Sequence, residues 1–239
     1  MVFSSKFALR DKQPEIMDQP GLETGQHAKA LRGLARINWI SGSDWILWRS
    51  IRRLAEEKRG QPLRVLDIAT GGGDVPIRLQ RRACRAGLPI TFAGADLSDT
   101  AIAVARENAE QAHQAVDFFL LDALNAPLPE DYDVLTCSLF LHHLDSPQAV
   151  DLLRRMSHAS RSMVLVNDLI RSRFGYLLAV LGTRLLTTSE VVHFDGPQSV
   201  RAAFTITEAR QLATEAGMKD AMISWRWPFR FLLAWRRQP

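Results

Sequence analysis

The chain has 239 residues, 46% hydrophobic and 23% charged, with a formal net charge of +4. That length suffices for one large domain, and that composition excludes both a disordered chain and one made mostly of membrane spans. The positive excess is too small and too scattered to point to nucleic acid, and the two cysteines, Cys84 and Cys137, lack the spacing of a metal knuckle or a secreted disulfide framework.

A reducing cytoplasm is the setting these cysteines fit, and no metal centre is expected. The N-terminal run MVFSSKFALRDKQPEIMDQPG has no continuous apolar stretch of the kind a secretory signal needs. Its first dozen residues read as loose, and Pro14, Pro20 and Gly21 punctuate the stretch before the first helix. Leu31, Leu34 and Ala35, then Trp45, Trp48, Ile51 and Leu54, recur at helical spacing and predict two amphipathic helices, over 28–38 and 44–57. Residues 1–58 are therefore expected to form a tail and a helical cap, and 59–239 the main domain.

Beyond Gly60 the pattern changes to short apolar runs separated by helical segments, the signature of a parallel α/β sheet with both faces covered. Strands are predicted at 63–69, 90–96, 116–123, 132–138 and 162–168. Helices are predicted at about 74–86, 98–112 and 146–158, and the connection 123–132 is too short and proline-marked for one. A further helix is expected from about 171 to 186. FGYLLAVLGTRLL within it is too short to span a bilayer and carries Arg184, which implies a surface or core position; no stable membrane insertion is expected, although peripheral contact fits.

HFDGPQS at 193–199 reads as a loop. TITE at 205–208 is a capping box opening a helix that ends near Gly217. The tail AMISWRWPFRFLLAWRR predicts an antiparallel hairpin turning near Pro228 at one sheet edge.

VLDIATGGGDV, Val65 to Val75, carries the chemistry. Three glycines between a strand and a helix permit a tight turn and let ligand atoms meet the backbone and the helix amides. A dinucleotide fold wants a last glycine where Pro76 stands, and a phosphate-binding loop of the GK[ST] type is absent. Asp96 ends the second predicted strand, where its two oxygens can accept from both hydroxyls of a ribose. Asp122 ends the third, with Leu97 and Ala123 as apolar walls. Three acids at three successive strand ends point at one crevice.

Over roughly Leu63 to Asp168 these residues resemble the class I S-adenosylmethionine-dependent methyltransferases. Asp67, Ala69, Gly71 and Gly73 stand at the four positions of that family's D-x-G-x-G-x-G motif, with alanine at the first glycine. LDIATGGGD is most similar to the ubiquinone and menaquinone biosynthesis methyltransferases and their small-molecule relatives. The resemblance implies a Rossmann-like, doubly wound, mostly parallel seven-stranded sheet with a C-terminal antiparallel hairpin, an N-terminal helical cap and a helical insertion near 169–204 roofing the pocket. It implies S-adenosylmethionine held by the turn from Asp67 through Thr70 to Gly73, with Asp96 on the ribose, Asp122 and Ala123 framing the adenine, and Ser138 beside the methionine.

CSLFLHHL at 137–144 resembles the segment after the fourth strand, where small-molecule enzymes carry such histidines; His142 and His143 are the candidate catalytic residues. Asp168, His193, Asp195 and Arg201 lie where they could line the acceptor pocket, though each reads more simply as a loop or capping residue. The implied reaction is methyl transfer to an oxygen or carbon of an apolar, aromatic or quinone-like small molecule. A nucleic-acid or protein methyltransferase and a non-catalytic cofactor-binding subunit are the alternatives. The nucleic-acid reading is weakened because SLFL stands where exocyclic-amine enzymes carry [DNS]-P-P-[YFW].

Overall fold

The computed structural model describes residues 7–17 and 21–238. Two helices, α1 (Thr24–Ile40) and α2 (Ser43–Glu57), precede a sheet whose strands are β1 (Leu63–Ile68), β2 (Ile90–Asp96), β3 (Asp117–Leu120), β4 (Val134–Ser138), β5 (Met163–Leu169), β6 (Met222–Arg226) and β7 (Arg230–Arg236). The helices among them are α3 (Asp74–Ala86), α4 (Asp99–Gln111), α5 (Ser146–Ala159), α6 (Arg173–Leu186), α7 (Glu190–Ala202) and α8 (Ile206–Glu215). Strand order is β3-β2-β1-β4-β5-β7-β6, parallel except for β7, which runs antiparallel to both neighbours. The order reverses between β1 and β4, the place where open α/β sheets leave a crevice at their carboxyl edge.

Both faces of the sheet are covered, which is why its central strands lack a polar alternation. Leu63 and Val65 of β1 pack with Leu47, Ile51, Leu54, Leu79 and Ala83 of α2 and α3. Leu66 and Ile68, pointing the other way, join Leu152, Leu153, Met156 and Leu212 of α5 and α8.

Several element ends differ from expectation for local reasons. Helix α1 starts at Thr24 because the Glu23 carboxylate accepts from the Gly25 and Gln26 amides and caps it. Strand β3 is only four residues long, because the chain turns at Asp122. The segment 193–199 is not a loop but lies inside α7, with Pro197 in the helix interior. Gly196 there serves close packing, since a Cβ would stand 2.5 Å from Thr183 Cγ2 of α6.

The described part of the N-terminal segment, 7–17, is also not loose. Arg171 holds the Phe7 and Ala8 carbonyls while forming a two-pronged ion pair with Glu208, Arg10 donates to the Ala202, His142 and Leu144 carbonyls, and Arg201 pairs with Asp11. Helix α6 lies on the surface with Phe174, Leu177, Leu181 and Leu185 exposed. Among the described residues no helix is long and apolar enough to cross a membrane.

Candidate active site

A cavity of about 940 Å³ opens at the carboxyl edge of the sheet. Its floor is the β1–α3 turn and the ends of β2 and β4; α1, α6 and α7 contribute Leu31, Leu34, Leu178, Leu186 and Val192 from above.

The turn is built from backbone conformations that favour glycine. Ala69, Gly71 and Gly73 all have positive φ, at 53°, 56° and 72°. Alanine at the first of these costs on the order of 1 kcal/mol relative to glycine. The three glycines are not equivalent. A Cβ on Gly73 would lie 2.6 Å from Phe118 Cζ, so this glycine is fixed by packing, and it does not line the cavity. A Cβ on Gly71 would meet only Leu31 Cδ2, at 3.6 Å, so its backbone faces open cavity beneath α1.

Asp67 also stays out of the lining. Its carboxylate is 2% exposed and accepts from Thr70 Oγ1 at 2.9 Å and Thr136 Oγ1 at 2.6 Å, bracing the turn from behind. Burial pushes its carboxyl up to about 7, against the two threonine hydroxyls, with Asp74 and Asp96 adding to the rise. Ala69, Thr70 and Gly71 line the cavity, as do Asp96, Leu97, Asp122, Ala123, Ser138, His142 and His143.

Asp96 ties strand end to turn, accepting from the Gly71 amide at 2.8 Å with one oxygen and the Ser98 amide at 3.0 Å with the other. Leu97 beside it is 69% exposed. Asp122 caps its own turn, accepting from the Leu124 and Asn125 amides and the Asn125 side chain. The Asn125 side-chain bond, with the two amides, holds its carboxyl below the usual range. Ser138 Oγ is buried and has no hydrogen-bond partner among the described residues.

The histidines sit on a 3-10 turn, Leu141–His143, directly after β4. His142 is 3% exposed, and its Nδ1 lies 2.6 Å from Asp168 Oδ1, while its amide donates to Asp168 Oδ2 at 3.1 Å. Burial works to push the Asp168 carboxyl up, but the His142 ring, the Leu169 amide and His143 outweigh it and hold it below the ordinary value. An ionised carboxylate only accepts, so Nδ1 carries the hydrogen, which in the neutral tautomer puts the ring's lone pair on Nε2. The His143 ring stands 4.4 Å from that of His142, tilted 35°, and stacks on Phe140.

Of the other residues weighed from sequence, Asp195 lines the cavity and accepts from the Ile16 and Met17 amides. His193 bonds the Thr187 carbonyl, and Arg201 pairs with Asp11; neither lines the cavity. Sequence reasoning missed Glu15 and Arg230. Glu15 sits in a polar, proline-marked stretch with no periodic signal, yet lies 3.8 Å from both His142 Nε2 and His143 Nε2. Arg230 is 2% exposed, joins the Ser43 hydroxyl and Asn38 Oδ1 to anchor the α1–α2 corner, and is pushed down to about 10 by burial, against Asp168 and Asp74.

The methyltransferase domain family matches residues 65–162. A ubiquinone biosynthesis O-methyltransferase of Paraburkholderia phytofirmans is 30% identical over 186 residues, covering 72% of this chain and 78% of that protein. One of Thiobacillus denitrificans is 29% identical over 164 residues, covering 65% of this chain; the match spans 64% of that relative's length. Human N-acetylserotonin methyltransferase, solved in complex with S-adenosylmethionine, shares the fold with a TM-score of 0.65 at 17% identity, over 91% of this chain and 57% of that one. With the glycine turn, the strand-end acids and the sheet order already described, these similarities have one meaning: the chain belongs to the class I S-adenosylmethionine-dependent methyltransferases.

Proposed function

We propose that this chain transfers a methyl group from S-adenosylmethionine to an oxygen or carbon of an apolar aromatic acceptor of the phenol or quinol class. One observation carries the reading: the Asp96–Gly71 strand-end turn and the Asp168-held His142 face the same mostly apolar cavity.

The residues present fit the cofactor. Asp96 keeps free lone pairs after accepting one amide on each oxygen, enough for a ribose diol. Gly71 exposes bare backbone where a Cβ would project beneath Leu31, the place for the amino-acid end. The partnerless Ser138 Oγ offers a hydrogen bond on the methionine side. Leu97, Ala123 and the Asp122 turn would flank the adenine. Asp67 and Gly73 act behind the turn, fixing its shape. The bound cofactor supplies an electrophilic methyl carbon on a sulfonium.

What the protein must then do is hold the acceptor in line and exclude water. Helices α1, α6 and α7 roof the cavity, so α1 and the 169–204 segment act as the cap, while α2 packs against β1 and α3 in the sheet core. Its apolar walls favour an aromatic ring, and His142 Nε2 presents a lone pair to the ring's hydroxyl in the metal-free protein, with Asp168 stabilising the imidazolium that forms. The names of the ubiquinone biosynthesis relatives support an oxygen acceptor on a quinone-related ring. The exposed apolar face of α6, whose Leu178 also lines the cavity, suits an acceptor collected from a bilayer.

Methyl-labelled cofactor incubated with alkyl catechols, hydroxyquinols and simple phenols tests this. Label is expected in an organic-extractable product with at least one member. Cofactor binding with no transfer to any of them contradicts the acceptor class.

A further inference from the structure

We propose that Glu15, His142 and His143 form a binding site for one divalent first-row metal ion on the acceptor side of the cavity. Glu15 Oε1 lies 3.8 Å from His142 Nε2, and its other oxygen lies 3.8 Å from His143 Nε2. The three residues' ligand atoms all lie within 4.8 Å of one another. A separation of 3.8 Å is too long for a hydrogen bond. It is close to the ligand-to-ligand edge of about 3.4 Å expected when bonds of about 2.0–2.2 Å meet a tetrahedral ion.

The groups behind the ligands match this use. Asp168 engages His142 at Nδ1, which aims Nε2 at Glu15, and Ser199 Oγ donates to Glu15 Oε1 at 2.6 Å. Outer partners of this kind fix tautomer and orientation and raise ligand basicity. The strap carrying Glu15 is itself pinned, by Asp195 at the Ile16 and Met17 amides and by Arg10 at the His142 and Leu144 carbonyls. Glu15 is 8% exposed, and its ionic partners among the described residues are the two imidazoles. A buried carboxylate facing two imidazole nitrogens is stabilised by a cation placed among them.

Two imidazoles and a carboxylate suit Zn²⁺ and its neighbours; Mg²⁺ and Ca²⁺ prefer oxygen ligands. All three residues line the cavity, so a further coordination position faces the acceptor. The ion's role rests on the methyltransferase reading, although its binding does not. An acceptor hydroxyl coordinated there releases its proton to water. The resulting oxygen forms the bond to the methyl carbon as the carbon–sulfur bond breaks, its electron pair going to sulfur. The products are a methyl ether, S-adenosylhomocysteine and one proton. In the loaded protein the His142 lone pair is on the ion, so the histidine orients and no longer takes the proton.

The test is calorimetric titration of the chelator-stripped full chain with Zn²⁺, metal content being counted after dialysis. One tightly held equivalent is expected, falling in affinity by about 10- to 100-fold in Glu15→Gln and in His143→Gln, and in the outer-partner variant Asp168→Asn. Circular dichroism of each variant confirms that it folds, and His143, the most exposed of the three, is the variant least apt to unfold. Co²⁺ substitution adds a second reading: visible absorption bands of a low-coordinate site in the wild type, lost in Glu15→Gln. No stoichiometric uptake by the wild type, or uptake unchanged in Glu15→Gln and His143→Gln, overturns the proposal. S-adenosylmethionine binding by the stripped chain separates the two readings, since its loss would sink the proposed function and its retention without Zn²⁺ uptake would sink only the metal.

Discussion

Asp96 accepts the Gly71 amide at 2.8 Å, locking the end of β2 to the turn at the end of β1. One carboxylate therefore shapes the glycine turn and presents its remaining lone pairs to the cavity. Asp96→Ala is expected to lower S-adenosylmethionine affinity on the order of 100-fold, the loss of two charge-assisted hydrogen bonds. Calorimetry checks it, and unchanged affinity would contradict the ribose assignment.

The glycines of the turn should separate stability from binding. In Gly73→Ala the new methyl meets Phe118 and the residue keeps a left-handed φ of 72°, so unfolding free energy should fall by about 2–4 kcal/mol. Gly71→Ala has room and should cost only about 1 kcal/mol of stability while weakening cofactor binding at least tenfold. Urea unfolding and calorimetry on both variants decide this; the reverse pattern would assign the roles the other way.

Asp67 predicts a pH dependence. Its folded carboxyl is pushed up to about 7 by burial, from an ordinary 3.8, so the folded state holds a proton the unfolded chain releases. This group's contribution to stability is greatest below about pH 4, declines as pH rises towards 7 and levels off above it, by at most about 4 kcal/mol. Asp67→Asn, which cannot ionise, should flatten that slope in urea melts of the cofactor-free protein between pH 5 and pH 8. An equal slope in both proteins would show that Asp67 ionises normally.

The outward face of α6 carries Phe174, Leu177, Leu181 and Leu185. Replacing Leu177 and Leu181 by glutamate should reduce co-sedimentation with anionic vesicles several-fold and leave S-adenosylmethionine affinity unchanged. Equal sedimentation of variant and wild type would remove the bilayer as the route of the acceptor.

The sheet is legible in sequence because its strands are short β-rich apolar runs separated by helical periodicity, and the glycine turn because its φ requirements restrict residue choice. Asp96 can be placed from those two signals because it ends β2, whereas Ser138 at the end of β4 and the histidines on the turn that follows are placed by the family resemblance. What stays hidden depends on tertiary contact. Gly196 and Pro197 look like a turn in sequence, but the tight crossing of α6 and α7 at Thr183 is what asks for the glycine. Glu15 lies in a polar segment with no period of its own, held by Asp195 and Ser199 of α7 and by the segment's own Arg10 reaching the Ala202 carbonyl. The same reason explains why the sequence points to no metal: the cysteines offer no ligand spacing, and the third ligand beside His142 and His143 arrives only through folding.

The most direct measurement is a crystal structure with S-adenosylhomocysteine. The ribose hydroxyls are expected on Asp96, the amino-acid end over Gly71, and the sulfur between Ser138 and the His142 side of the cavity. Product bound elsewhere, or with its sulfur turned away from the histidines, would contradict it.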